Sequence, residues 1–220
     1  MALSASKEQG SGKVFKKLEA GSYPARLLGV IDLGLQNQRP YNGTVKPPHH
    51  QIMLTYELSD EFVEDENGNP QEEKPRQVSE SFPLYSLTAD RAKSTLRYNV
   101  LDPSNLHEGD FSQLIGTPIS LTITLSPMKE GRQYENVAGI SPMRAKDKDA
   151  LSDIVNAPFF FDLDSPDMTV FNALYPWQQK IVVSNLEYAG SALEKLVGAH
   201  ETADVTVVSE PNDSLAEMKY

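Results

Sequence analysis

The sequence predicts a mainly β protein: five strands rolled into a small closed barrel, with one helix inserted between strands three and four. Three observations carry that expectation. The run YPARLLGVIDLGL (23–35) is long for one strand and apolar on much of both sides. Two later runs, QIMLTYEL (51–58) and PISLTITLS (118–126), alternate apolar and polar residues cleanly. Between them, SLTADRAKSTLRYNVL (86–101) changes to a helical period.

In the first strand, Tyr23, Ala25, Leu27, Ile31 and Leu33 fall on one side of a period-two pattern. Arg26, Leu28, Val30 and Asp32 fall on the other. Gly29 sits between the halves and permits a bend, so that one strand can pair with two sheet segments. Leu27, Ile31 and Leu33 are expected inside the barrel, whereas Leu28 and Val30 need cover from another part of the chain.

The segment 36–50 is rich in turn formers and reads as a loop. Strand two follows at 51–58. The acidic stretch SDEFVEDENGNPQEE (59–73) reads as a long hairpin connection, and PRQVSESFPLY (75–85) as the returning strand, with Pro83 marking an edge or an end. A helix over roughly 88–99 is expected, capped by Thr88 and stopped by Asp102-Pro103. The connector 105–116 is expected to hold a short helical turn. Strand four (118–126), a turn (128–132) and strand five (133–142) complete the set. Strand, strand, strand, helix, strand, strand is the order of the OB barrel. A β-sandwich calls for more strands and no helix at that place.

Four regions result: a flexible basic arm (1–20), the barrel (21–143), an extension packing on it (144–198) and a flexible acidic tail (199–220). The extension carries Phe159, Phe160, Phe161, Phe171, Tyr175 and Trp177, which could cover an outer face of the barrel. Pro176 suits the first turn of a helix over Trp177–Ser184, and Tyr188–Val197 reads as another.

The chain has 220 residues, 39% of them hydrophobic and 23% charged, which fits a globular protein. It contains no cysteine, so disulfide and thiolate-metal chemistry are excluded and an intracellular setting is expected. The first residues lack the apolar core of a secretory signal, and no apolar run reaches membrane-span length. The formal charge is −11. Seven acids and no base lie within 59–73, and without them the presumed barrel from 23 to 140 stands at +1. A modest basic face is compatible with that distribution.

No nucleophile elbow, HExxH pair or Rossmann glycine pattern occurs, and Gly12-Lys13 lacks the spacing and the following hydroxyl of a phosphate loop. His49-His50 cannot both face one metal from a strand. Asp162, Asp164 and Asp167 lack the glycine and bidentate glutamate of a calcium loop. No catalytic residue, metal or cofactor is therefore assigned. Single-strand binding fits better, since it needs only cations along the phosphates and flat side chains for stacking. Arg39, Tyr41 and Lys46 lie between strands one and two; Lys129, Arg132 and Tyr134 lie between strands four and five. In OB barrels these two loops flank the nucleic-acid groove. Arg26 on strand one and Arg76 entering strand three complete the DNA-binding set, although Arg26 could instead pair with Asp32 or Glu57. Tyr134 could equally belong to the core. Tyr56 and Phe82 match aliphatic neighbours and are expected in the core, and Arg91, Lys93 and Arg97 on the helix are assigned structural or peripheral roles.

In GSYPARLLGVIDLGLQ (21–36), QIMLTYEL, SLTADRAKSTLR (86–97), LIGTPISLTI (114–123) and GRQYENVAGISP (131–142), the chain resembles bacteriophage single-stranded DNA-binding proteins of the OB-fold type. PWQQKIVVSNLEY (176–188) is similar to the segment that follows their barrel, and the likeness spans roughly residues 13–190. The resemblance implies sequence-independent binding of single-stranded DNA in phage replication, recombination or repair, in the cytoplasm of an infected bacterial host. It also implies an acidic tail that contacts replication or recombination proteins, here through Glu210, Asp213, Glu217 and Tyr220. The competing expectation is an acidic barrel that docks another replication protein and does not touch DNA.

Overall fold

A computed structural model describes residues 17–38, 40, 43–128 and 133–198. Six strands form one sheet: β1 (Gly21–Gln36), β2 (His49–Glu64), β3 (Pro70–Pro83), β4 (Pro118–Leu125), β5 (Glu135–Pro142) and the short β6 (Phe159–Phe161). The order is β3-β2-β1-β4-β5 with antiparallel neighbours, and β6 joins β1 in parallel. The helix α1 (Lys93–Leu101) lies between β3 and β4 in the chain, as the change of period predicts. The expected closure into a five-stranded ring is not made by backbone pairing. Among the described residues β3 and β5 remain the two ends of an open sheet.

The first strand is shared between neighbours. Along one edge it pairs with β2 from Ala25 to Gln36. Along the other, residues 21–26 pair with β4, and Gly29–Ile31 pair with Phe159–Phe161 of β6. A bulge interrupts the β1–β2 register between Leu27 and Gly29. One extra residue on one strand reverses the side to which every later side chain points. Val30 therefore joins Leu27 in the first core, while Ile31 and Leu33 turn to the opposite face. This corrects the expectation that Leu27, Ile31 and Leu33 share the interior with Val30 outside.

Each face of β1 has its own core. The first gathers Leu27, Val30, Leu54, Tyr56, Leu58, Ile119, Leu121 and Ile123, with Tyr98, Phe111 and Leu114 joining from α1 and the connector. The rings of Tyr98 and Phe111 meet edge to face with centroids 5.2 Å apart. The second packs Ile31, Leu33 and Met53 against Phe161, Phe171, Leu174, Val182 and Leu193. Burying a side chain of this size stabilises by about 1.5–3 kcal/mol. The extension thus supplies the greater part of a core. Its elements are α2 (Ala145–Asp149), β6, α3 (Met168–Ala173), α4 (Pro176–Val183) and a helix over 192–198. Pro176 occupies the start of α4, where its missing N–H costs nothing.

Several expected boundaries move. The acidic stretch 59–73 is mostly strand, because β2 runs out to Glu64 and β3 returns from Pro70. Asp65 folds the tip, with its Oδ1 accepting from the backbone N–H of Asn67 at 2.8 Å and of Asn69 at 2.9 Å. The helix begins five residues late. Residues 86–92 form turns instead, with Ala89 N–H bonded to Ser86 O and Ala92 N–H to Ala89 O. Thr88 spends its hydroxyl on Ser86 rather than on a cap. Leu96 is 51% exposed, while Arg97 and Tyr98 are buried. At the amino end, the arm expected to stay loose through residue 20 is anchored by Leu18, which lies in the first core.

Candidate nucleic-acid interface

A cavity of about 640 Å³ opens where β3 and β5 do not meet. Ser79–Pro83 line it from β3, and Glu135, Asn136 and Val137 from β5. Asn37, Gln38 and Lys46 reach it from the loop after β1, Gln51 from β2, and Lys93 from the first position of α1. Of the two loops singled out in the sequence, the one after β1 thus reaches this cavity, while on the other side the described lining belongs to β5 itself.

Alternation along β3 explains the chemistry of one wall. Ser79 and Ser81 point away from the first core, and the Ser79 hydroxyl pairs with that of Thr55 at 2.9 Å. Glu80 has the same parity as Val78 and Phe82, so a carboxylate stands on an otherwise apolar face and is buried. Such a charge persists only with partners. Arg97 supplies two bonds, Nε to Oε1 at 2.7 Å and Nη2 to Oε2 at 3.1 Å. The Lys93 ammonium stands 2.7 Å from Oε2, and the Tyr56 hydroxyl donates to Oε1 at 2.8 Å. Burial pushes the Glu80 carboxyl up, but the hydrogen bonds and charges of Arg97 and Lys93 outweigh it and hold the group below its usual range. Burial, and then the adjacent Glu80 charge, push the Tyr56 phenol well above its ordinary value.

On the opposite wall, Glu135 accepts from Arg76 Nη2 of β3 at 3.1 Å and from the backbone N–H of Leu18. The Arg76–Glu135 pair thus spans the gap that the backbone leaves open. Among the described residues the cavity wall carries two lysines, Lys46 and Lys93, and two carboxylates, Glu80 and Glu135, with Arg97 and Arg76 paired to the carboxylates.

The sequence-derived residues divide. Lys46 lies on the cavity and Arg76 is paired across it. Tyr134 is 59% exposed, and its backbone exchanges hydrogen bonds with Ser126 at the base of the β4–β5 loop, which takes it out of the core. Arg26 points elsewhere. Its guanidinium donates to the carbonyls of Ser152 at 2.9 Å, Gly116 at 3.1 Å and Leu151 at 3.4 Å, and not to Asp32 or Glu57. Arg39, Tyr41, Lys129 and Arg132, and the tail residues Glu210, Asp213, Glu217 and Tyr220, lie outside the described residues. Tyr56 and Phe82 are core residues, as expected. Lys93, assigned a structural or peripheral role, pairs with Glu80 and also lines the cavity. One signal for it is present in the sequence: Lys93 and Arg97 stand one helical turn apart, and such residues share a face.

Other titratable groups serve the fold. The Glu57 carboxylate, also buried, accepts from the backbone N–H groups of Val155 at 2.8 Å and Asn156 at 2.9 Å, and from Asn156 Nδ2 at 2.6 Å. Together with Arg26 it fastens the linker that precedes β6. Asp162 accepts from Asp164 N–H, and Asp167 caps α3 through Thr169 N–H. His50 Nε2 meets Asp32 Oδ1 at 2.7 Å, and the His49 ring packs on Tyr85 with centroids 4.2 Å apart. Among the described residues no three His, Asp or Glu side chains converge as metal ligands, and no helix is long and apolar enough to cross a membrane.

The chain matches no protein-family model, and no curated protein or solved structure is significantly similar to it.

Proposed function

We propose that this chain is a non-catalytic, sequence-independent single-stranded DNA-binding protein whose groove is the cavity between β3 and β5. The observation that carries the proposal is the cavity itself. It runs along the edges of β3 and β5, which do not pair with each other among the described residues, is lined by amides, hydroxyls, two lysines and two carboxylates, and takes lining residues from the loop after β1 and from the strand that follows the β4–β5 loop. Phosphates need cations and donors without base-specific geometry, which is what such a wall offers. The strand order, together with a helix between β3 and β4, supports an OB-type barrel whose seam at β3 and β5 is bridged by side chains. The resemblance to phage single-stranded DNA-binding proteins supports a role in phage replication, recombination or repair in the host cytoplasm, with Arg39, Tyr41, Lys129, Arg132 and Tyr134 as further contacts and the acidic tail as a docking segment for replication proteins.

One observation favours a second reading. Glu80 and Glu135 stand on facing walls of the cavity and offset the charge of its two lysines. An acidic barrel that docks a replication protein, without touching DNA, is the alternative. A gel shift with labelled oligo-dT at two salt concentrations separates them. A shift at low salt that weakens at high salt supports DNA binding; absence of any shift at low salt supports the docking module.

A further inference from the structure

We infer that Lys93 is a phosphate-contacting residue, held at the cavity by Glu80 and handed over to DNA when a strand enters; the inference rests on the cavity being the single-strand groove. Two cations share the one carboxylate of Glu80, and they are not equivalent. Arg97 bonds both oxygens, and its side chain is 8% exposed. Lys93 touches a single oxygen, and its side chain is 41% exposed. The buried Arg97–Glu80 pair is neutral by itself, and with the Tyr56 hydroxyl it satisfies the carboxylate. Lys93 is the surplus charge of the cluster.

That asymmetry makes the exchange cheap. Removing the sole partner of a buried carboxylate is strongly destabilising, whereas removing the second of two leaves the pair intact. An ammonium is a compact charge with three donors on a long stem, so it can turn from one oxygen to another without moving the backbone. The Lys93 ammonium also lies over the Phe82 ring, 5.5 Å from its centroid, a weak attraction that does not tie it to Glu80. Arg97, sunk behind Glu80, cannot make the same move. Its role is to keep Glu80 paired while Lys93 is away.

The test is a salt series of oligo-dT binding, read by fluorescence anisotropy, for the wild-type chain, Lys93→Met and Lys93→Arg. One phosphate contact fewer lowers the slope of log K against log salt by about 0.7. The affinity lost between about 50 and about 200 mM salt should then be about 2.6-fold smaller in Lys93→Met than in wild type. Lys93→Arg should keep the wild-type slope. Thermal melting checks the fold, and Lys93→Gln replaces Lys93→Met if the latter is unstable. A wild-type slope in the folded Lys93→Met or Lys93→Gln protein overturns the inference while leaving the groove in place. A wild-type chain that binds no oligonucleotide at low salt overturns both.

Discussion

The ring of Phe159 lies against the α-carbon of Gly29, so closely that a β-carbon there would stand 2.3 Å from the ring's Cζ. Gly29 was expected to permit a bend, and beside the β-bulge it also admits a ring that a larger residue would displace. Alanine at position 29 should cost about 1–3 kcal/mol, the usual cost of overpacking. Most of that cost should vanish when Phe159 is also alanine, since the two sites share one contact. Denaturant unfolding of the four proteins of this cycle measures the coupling, and additive losses would show that backbone geometry, not the ring, demands the glycine.

Glu57 holds the linker by three hydrogen bonds to residues 155 and 156. Glu57→Ala should destabilise the chain by about 1–3 kcal/mol, because buried donors lose their acceptor. Limited proteolysis should cut sooner within 144–157. Unchanged cleavage there would mean that the carbonyl contacts of Arg26 hold the linker alone.

The Glu80 carboxyl has a folded pKa below its ordinary value. Its contribution to stability is therefore complete above the unfolded pKa of about 4.3 and is lost as pH falls through the lower folded value. Glu80→Gln, which strands Arg97 in the interior, should cost about 3–5 kcal/mol at neutral pH. The gap between variant and wild type should close as acid protonates Glu80. Parallel stability curves from neutral pH down to acid unfolding would contradict the ion pair.

Lys46 lies on the cavity as part of the first loop. Lys46→Ala should weaken oligonucleotide binding equally for dT, dA and mixed sequences, because phosphates carry no base information. A change of base preference at constant affinity would place the groove elsewhere.

What could be read from the chain depended on the range over which the cause acts. Alternation in 51–58 and 118–126 is a local property, and β2 and β4 form where it occurs. The parity of β1 is not local, because a bulge at Leu28 leaves no mark in composition yet decides whether Val30 or Ile31 faces the first core. Three consecutive phenylalanines carry no period, so β6 was legible only as an apolar run in need of a partner. At the site, Lys46 was readable as a cation in a polar loop. Arg26 was not, because its acceptors are backbone carbonyls, which have no sequence identity. Glu80 breaks the apolar side of its strand in plain view, but the group that explains it, Arg97, lies on a different element.

One neighbour along one edge of β1 and two in succession along the other have a consequence for how this protein can be inherited. Residues 21–143 alone would leave Ile31, Leu33 and Met53 bare and the edge of β1 at Gly29–Ile31 unpaired, which together make a template for self-association. A fragment ending at residue 143 should therefore elute as aggregate in size-exclusion chromatography, while the chain through residue 198 does not. The segment after the linker is then no accessory that a genome could swap or discard. A side chain at position 29 fits this packing only where the ring at position 159 gives way, a dependence that reaches across 130 positions of sequence.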